Sequence, residues 1–299
     1  MTPRGEHRKL RMMQTLTAEA PAKLNLTLRV LGTRPDGFHE LESLVVRVSL
    51  CDTVTVAAHE DGCYSFGCDD PTLPRDGSNL VLQAAKTLNE AAGTNHGAEI
   101  TLTKRIPAGA GLGGGSSDAA TTLKLLNQLW QTGLAAADLA RLGAGLGSDV
   151  PLFFHTPACV LRGRGEVVDD LADWRPSAWV ALILPQLQCA TPAIYRAWDQ
   201  LTTQPPRPKL ADVLAARGSA AALMDTLFND LEEPAFAVVP ELRALHARVA
   251  DVTGQAVRLT GSGSAMFRLF DDAPAAARFA LRVGTELGVR VDVVSLRSV

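Results

Sequence analysis

The chain has 299 residues, 46% of them hydrophobic and 20% charged, and its formal net charge is −3. This length predicts two domains with sizeable cores. A sequence pI near 6.1 argues against a nucleic-acid partner. The longest apolar run, residues 178–184, is too short to span a membrane. The five cysteines lack C-x-x-C spacing, so we expect reduced thiols in a cytoplasmic protein rather than disulfides or a zinc site.

Residues 1–17 precede the first regular pattern of the chain. They are basic and lack the apolar segment of a secretory signal peptide, so we predict a disordered tail. The sequence leaves Met1, Met12 and Met13 open as the translation start.

The first predicted strand covers residues 20–28, with the sequence APAKLNLTL. Hydrophobic and polar residues alternate in it, which places the polar side chains of Lys23 and Asn25 next to each other on one face. Without further context, Lys23 is most simply an exposed strand lysine. A turn at residues 35–37 follows, and His39 behind it has the ordinary interpretation of a solvated loop side chain.

The next elements surround the most unusual segment of the chain. A helix with Ser78 as its N-cap is predicted to end at Gly93, and residues 98–104 alternate as a half-buried strand. Residues 107–118 then contain five glycines and two serines, and an apolar helical pattern follows. Glycine backbone can wrap closely around a phosphate, and a helix N-terminus adds unpaired N–H groups. The segment therefore predicts a nucleotide triphosphate site rather than a flexible linker.

Other phosphate-binding motifs fit this segment less well. The order Gly109-x-Gly111-x-x-Gly114 satisfies the dinucleotide fingerprint, but no second strand ending in an acidic residue is predicted after it. A Walker A loop would need a lysine where Gly115 and Ser116 stand. The catalytic-loop and metal-loop signatures of protein kinases are absent from the sequence.

The rest of the chain predicts further helices and strands. A helix is expected over residues 136–142, and Asp149 has the ordinary interpretation of a helix N-cap, because a proline follows two residues later. Thr191 and Pro192 are expected as the N-cap and first residue of another helix. The remaining elements are a buried strand at 179–184, helical segments over 209–250, a strand–turn–strand at 256–270, a helix at 274–287 and a strand at 289–296.

These elements predict a mixed α+β fold of layered domains, an N-terminal domain over residues 18–158 and a C-terminal domain over residues 159–299. The order Pro-x-x-x-Gly-Leu-Gly-x-Gly-Ser-Ser from Pro107 onward resembles the phosphate loop of the GHMP kinases. That family includes galactokinase and the homoserine, mevalonate and phosphomevalonate kinases. Residues 20–28 and 258–267 resemble its other two motifs, in the same order along the chain.

The resemblance implies a two-domain GHMP kinase architecture. Its N-terminal domain would be ribosomal-S5-like, its C-terminal domain ferredoxin-like, and the active site would lie in the cleft between them. The resemblance also implies a kinase that uses ATP and Mg²⁺. The residues expected to bind ATP are Pro107, Ala108, Gly109, Ala110, Gly111, Leu112, Gly113, Gly114, Gly115, Ser116 and Ser117.

Within the family, residues 36–39 (DGFH) and 147–152 (GSDVPL) resemble the members that serve the methylerythritol phosphate route to isoprenoid precursors. The expected reaction is phosphorylation of the 2-hydroxyl of 4-diphosphocytidyl-2-C-methyl-D-erythritol. A kinase of the homoserine or mevalonate type and a non-catalytic ligand sensor are the alternatives. The expected partners are the cytidyl diphosphate substrate and ATP, with no nucleic acid and no membrane, in a monomer or weak homodimer.

The resemblance also implies roles for single residues. Lys23 would polarise the acceptor hydroxyl and neutralise charge, and Asp149 would orient that hydroxyl and take its proton late. No protein ligand for the metal is identified. The residues expected to bind the substrate are Asn25, Phe38, His39, Lys104, Thr191 and Tyr195. For two of them an ordinary interpretation stays open, a solvated strand lysine for Lys104 and core packing for Tyr195.

Overall fold

The computed structural model describes residues 14–59, 62–201, 203 and 205–297. The predicted tail lies outside the described residues except for its last four positions, and residues 15–17 begin the first strand instead of belonging to a disordered tail. The strands are β1 (Thr15–Asn25), β2 (Thr27–Thr33), β3 (His39–His59), β4 (Tyr64–Cys68), β5 (Gly97–Thr103), β6 (Ala158–Gly163), β7 (Val167–Asp170), β8 (Trp179–Leu184), β9 (Phe228–Asn229), β10 (Arg258–Leu259), β11 (Met266–Phe270) and β12 (Arg290–Ser295). The helices are α1 (Leu80–Ala92), α2 (Gly114–Leu129), α3 (Ala136–Leu146), α4 (Thr191–Trp198), α5 (Leu210–Ala215), α6 (Ala220–Thr226), α7 (Glu232–Val238), α8 (Pro240–Thr253) and α9 (Ala273–Leu287), with a 3-10 turn at Pro151–Phe154.

The larger sheet is organised around β3, a strand of 21 residues that pairs with β1, β2, β5 and β6. One face is covered by helices, and Leu123 of α2 belongs to the same buried cluster as Val54 of β3. The other face meets the smaller sheet, where Leu24 of β1 shares a cluster with Phe267 of β11. Hydrophobic cores therefore lie on both faces of the larger sheet.

The predicted strand over residues 20–28 is present but divided. β1 ends at Asn25, β2 begins at Thr27, and the pairing of β1 with β3 shifts register between Pro21 and Lys23. Because both faces of the sheet are covered here, every residue from 20 to 28 is buried. Lys23 and Asn25 are each only 5% exposed, so Lys23 is not an exposed strand lysine.

The smaller sheet has the strand order β10-β11-β8-β12 and is antiparallel throughout. The predicted domain boundary between residues 158 and 159 disagrees with the strand pairing, because it falls within β6. That strand belongs to the larger sheet, which continues through β7 to Asp170. The C-terminal half also returns one strand, β9, to the edge of the larger sheet beside β2. The halves thus share a sheet rather than folding on either side of residue 158.

Two helix starts differ from the prediction by one residue. The N-cap of α1 is Asn79, whose side-chain oxygen accepts from the Val81 N–H, and not Ser78. The N-cap of α4 is Ala190, so Thr191 is the first helical residue and the proline the second. None of the helices within the described ranges is long and apolar enough to cross a membrane.

Candidate active site

The glycine-rich segment is a loop that leads into a helix, as predicted, but the helix begins earlier than expected. Gly113 is the N-cap of α2, so residues 114–117 form its first turn. Gly109, Gly111 and Gly113 have φ angles of 71°, 77° and 68°, which L side chains rarely adopt. Because no side chain caps α2, the first N–H groups of the helix are left for a ligand in a groove of about 350 Å³ beside the loop.

The loop packs directly on the turn between β10 and β11. A Cβ atom at Gly111 would lie 2.5 Å from the carbonyl oxygen of Thr260, so only glycine permits this approach. The Ala265 N–H donates to the carbonyl oxygen of Ala110 at 3.1 Å. The Gly-Ser-Gly-Ser turn of the C-terminal half therefore lies against the glycine-rich loop.

A cleft of about 610 Å³ lies next to this groove and shares Gly111, Gly113 and Ser116 with it. The cleft brings most of the predicted site residues together. Its walls include Lys23, Asn25, Phe38, His39, Asp149, Thr191 and Tyr195. A nucleotide in the groove and a second molecule in the cleft would therefore meet at the loop.

One part of the cleft wall holds a buried lysine between two acceptors. Lys23 Nζ lies 2.6 Å from Asn25 Oδ1 and 3.5 Å from Asp149 Oδ2. The amide nitrogen of Asn25 donates to Ser43 Oγ at 2.7 Å, which turns the amide oxygen toward the lysine. The ammonium is thus held in one place and directed at Asp149, an arrangement that suits stabilisation of negative charge.

Asp149 does not act as a helix N-cap. The residue that precedes the 3-10 turn is Val150, and no side chain caps that turn. The Asp149 side chain is about one-third exposed, whereas that of Lys23 is 6% exposed. The carboxylate therefore faces the cleft while the lysine supports it from within.

Another part of the cleft wall is built from aromatic rings around His39. The His39 ring lies 4.7 Å from the Tyr195 ring and 5.5 Å from the Trp198 ring, measured between centroids. His39 Nε2 is 2.8 Å from Asp199 Oδ1. Burial raises the pKa of the Tyr195 hydroxyl well above its usual range, and the Asp149 charge adds to this effect. Tyr195 therefore stays neutral.

Phe38 extends this wall toward the solvent. Its ring is 48% exposed, and the guanidinium carbon of Arg164 lies 4.9 Å from the ring centroid. Both side chains line the cleft. Phe38 therefore offers an aromatic face whose outer neighbour is a cation.

Lys104 lies apart from the predicted substrate residues. It lines the nucleotide groove, and its ammonium is shared by the carboxylates of Asp52 and Asp118. Burial alone would lower the pKa of Lys104, but the two carboxylates outweigh it and raise that pKa. Lys104 is therefore neither a solvated strand lysine nor free to bind a substrate in the cleft; it connects β3, the end of β5 and the first turns of α2.

The same cluster places an unusual carboxyl behind the nucleotide loop. Asp118 is 1% exposed, and its Oδ1 has no hydrogen-bond partner in the described part of the chain. Burial is the main cause that raises the pKa of Asp118 to about 7; the Lys104 ammonium opposes this shift, and the Asp52 charge supports it. The cluster therefore changes charge near neutral pH.

The substitution Asp118→Asn should alter how stability depends on pH. Because the pKa of Asp118 is raised in the folded state, the folded protein binds more protons between about pH 4 and pH 7, and stability falls as pH rises. An amide cannot ionise, so the variant lacks this loss of stability. Its free energy of unfolding relative to that of the parent chain should therefore rise by roughly 2–4 kcal/mol between about pH 4 and pH 7. Urea unfolding at several pH values measures it, with the exposed Asp138→Asn as control. An equal difference at pH 4 and pH 8 would contradict the raised pKa.

Several residues of the site were not predicted from the sequence. They are Ser43, Asp52, Asp118, Arg164, Trp198 and Asp199. Asp199 meets His39 across 160 positions of sequence, and Lys104 meets Asp52 across 52. No local pattern reports such pairs, since helix and strand periodicity describe neighbours along the chain. Among the described residues, no group of three or more His, Cys, Asp or Glu side chains could hold a metal ion by itself.

Both halves of the chain match models of one protein family. The GHMP kinases N terminal domain matches residues 79–157, and the GHMP kinases C terminal domain matches residues 210–289. A 4-diphosphocytidyl-2-C-methyl-D-erythritol kinase of Chlorobium phaeobacteroides is 40% identical over 272 residues, which cover 89% of this chain and 94% of the relative. The corresponding kinase of Salinibacter ruber is 38% identical over 273 residues, with the same coverage.

Solved structures agree with these matches. A crystal structure of 4-(cytidine 5'-diphospho)-2C-methyl-D-erythritol kinase aligns with a TM-score of 0.77 at 35% identity, covering 94% of this chain and 99% of that one. A homoserine kinase from Cytophaga hutchinsonii aligns with a TM-score of 0.70 at 19% identity, covering 96% of both chains, and shares the fold alone. The predicted two-domain α+β architecture is confirmed. The chain belongs to the GHMP kinase family and is an ATP-dependent small-molecule kinase.

Proposed function

We propose that this protein transfers the γ-phosphoryl group of ATP to the 2-hydroxyl of 4-diphosphocytidyl-2-C-methyl-D-erythritol. The observation that carries the proposal is a single cleft lined both by the Lys23–Asp149 pair and by the His39 and Tyr195 rings. A long substrate with an alcohol at one end and a flat base at the other suits that arrangement. Relatives of 38–40% identity that bear this substrate in their name support it.

The proposed chemistry depends on position and charge. Phosphoryl transfer passes through a loose transition state, so the protein mainly orients the acceptor hydroxyl and stabilises charge. Asp149 would accept a hydrogen bond from the hydroxyl and take its proton late, while Lys23 neutralises charge on the transferring group. Asn25 would hold the Lys23 ammonium in place, because their contact is the shorter of the two that Lys23 makes.

The ATP loop of our proposal consists of residues 107–117, and Mg²⁺ would accompany the nucleotide. Magnesium in kinases is held by one or two protein oxygens together with phosphates and water. Ser116 lines both the groove and the cleft, so its hydroxyl fits this need at the junction. The metal would neutralise phosphate charge during transfer.

The cytidine end of the substrate would lie between Phe38 and Tyr195, with His39 at the edge of the base. Phe38 would supply an aromatic face without a hydroxyl. Thr191 would line the path between the two ends; its hydroxyl lies 2.7 Å from that of Ser262. The Arg164 cation beside Phe38 is suited to the diphosphate.

We also propose a domain boundary between Asp170 and Trp179, after the last strand of the larger sheet, in place of residue 158. A cytoplasmic enzyme that binds neither nucleic acid nor membranes and acts as a monomer or weak homodimer stays our prediction from the sequence. Sedimentation of the purified protein across a range of concentrations would test the oligomeric state.

The reaction can be tested by coupling ADP release to NADH oxidation. The cytidyl substrate should be phosphorylated at a rate far above that of homoserine or mevalonate, and ATP alone should give little ADP. A higher rate with homoserine or mevalonate would mean that the protein is a GHMP kinase with a different substrate. Tight binding of the cytidyl compound without ADP release would point to a ligand sensor.

Removing either aromatic wall should weaken substrate binding and spare ATP. For Phe38→Ala or Tyr195→Ala, we expect a loss of roughly 1–3 kcal/mol, the range for base–aromatic stacking. His39→Ala should lower the preference for cytidyl over uridyl compounds, since a mismatched edge leaves polar groups unpaired. Titration of the cytidyl substrate in the presence of a non-hydrolysable ATP analogue measures these effects. Affinities like that of the parent chain in all three variants would mean that the base binds elsewhere.

A further inference from the structure

None of the roles assigned above involves Asp199. It is the C-cap residue of α4, and its N–H donates to the Tyr195 carbonyl oxygen at 3.0 Å, which fixes its backbone. Its Oδ1 lies 2.8 Å from His39 Nε2 and accepts from Thr33 Oγ1 at 3.2 Å. The carboxylate therefore joins the end of β2, the start of β3 and the end of α4 at the wall of the cleft.

This contact decides which ring nitrogen of His39 carries hydrogen. A neutral imidazole has one N–H and one bare nitrogen, and an ionised carboxylate can only accept. The 2.8 Å contact therefore places an N–H at Nε2, and in the neutral ring it leaves Nδ1 as an acceptor. In the described part of the chain, Nδ1 has no partner, while Tyr195 and Trp198 pack on the ring and keep it from turning.

We infer that Asp199 is a positioning residue for base specificity: it holds His39 in the tautomer whose free nitrogen accepts a hydrogen bond from an amino group of the base. Cytosine presents an N4 amino donor where uracil presents a carbonyl acceptor. An accepting Nδ1 would accept a hydrogen bond from the amino group of cytosine. With uracil, two acceptors would face each other and no hydrogen bond would form. The inference rests on the proposed function and extends it, because it names a residue that acts on the substrate only through His39.

The substitution Asp199→Asn tests this role. An asparagine keeps the shape but can donate to Nε2, which would move the ring N–H to Nδ1, as happens when the aspartate of a Ser-His-Asp triad is replaced by asparagine. We expect KM for the cytidyl substrate to rise about tenfold, corresponding to one lost hydrogen bond. We also expect kcat and KM for ATP to change little and the preference for cytidyl over uridyl compounds to fall. Glu233→Gln, an exposed carboxylate paired with Arg243, is the matched control and should change nothing.

Nitrogen NMR of histidine-labelled protein supplies a readout that a merely structural role would not move. In the parent chain, His39 should show hydrogen on Nε2 and a bare Nδ1, and in Asp199→Asn the assignment should reverse. Hydrogen on Nδ1 or on both nitrogens in the parent chain would overturn the inference, as would unchanged discrimination in the variant. If the parent chain turns over no cytidyl substrate, the proposed function falls and the specificity role with it. If only the variant's behaviour departs from expectation, the function stands and the role of Asp199 falls.

Discussion

The variants Lys23→Met and Asp149→Asn should lose most of their turnover, about 10²–10⁴-fold in kcat, while ATP affinity stays within a factor of about three. Lys23 Nζ lies 3.5 Å from Asp149 Oδ2 in the cleft, so each substitution removes one half of a charged pair that faces the acceptor hydroxyl. Neither side chain lines the nucleotide groove. Methionine keeps the aliphatic part of Lys23, which lies beside Gly113, so the loop keeps its support.

Assays of ADP release measure kcat, and calorimetric titration with an ATP analogue measures ATP affinity separately. Lys23→Ala should lose at least as much turnover as Lys23→Met, because it also removes packing below Gly113. Thermal unfolding shows whether each variant is folded. Turnover near that of the parent chain in either folded variant would contradict the assignment of this pair.

Gly109→Val should weaken ATP binding by at least tenfold. Gly109 has a φ of 71°, and a Cβ atom there would meet no protein atom within 4 Å, so its side chain would project into open space at the loop. A branched side chain would occupy space that a phosphate needs and would block close approach of the backbone. Gly113→Val is the less specific variant of the loop, because a Cβ atom there would lie 3.0 Å from Lys23 Cγ and would disturb catalysis as well.

The chain offers a matched control for Gly109→Val. Gly254 has a φ of 69° and also meets nothing within 4 Å, but it ends α8, away from the groove. Gly254→Val should therefore suffer a similar backbone strain, on the order of 1–2 kcal/mol, and keep its ATP affinity. Equal ATP affinities in the two variants, measured by calorimetry, would show that the loop does not hold the nucleotide.

Features encoded by neighbouring residues were predicted well. The buried strand β8 was expected at residues 179–184 and has those bounds. The glycine-rich loop was recognised because φ-permissive residues and a helical pattern stand next to each other. The helix start at α1 was missed by one residue because Ser78 and Asn79 are both good N-caps. The N-cap of α1 is Asn79, whose side-chain amide also donates to the Pro74 carbonyl oxygen at 2.7 Å.

Features that depend on distant pairing could not be predicted in this way. The boundary at residue 158 was wrongly placed because the pairing of β6 with β3 is not visible in either segment alone. Lys104 was considered for the substrate because it ends the strand before the glycine-rich loop. Its ion pairs with Asp52 and Asp118 were not foreseen, since both partners come from other elements. Burial of Lys23 likewise arises from the cores on both faces of the larger sheet, whereas its alternating pattern suggested one exposed face.

The most direct test of the central claim is phosphorus NMR of the product formed from ATP and 4-diphosphocytidyl-2-C-methyl-D-erythritol. We predict ADP and one new phosphomonoester, with the diphosphate of the substrate intact. The carbon at position 2 carries a methyl group and no hydrogen, so the new signal should show no splitting by a proton on that carbon. A monoester signal split by such a proton, or inorganic phosphate as the only new species, would contradict the proposed reaction.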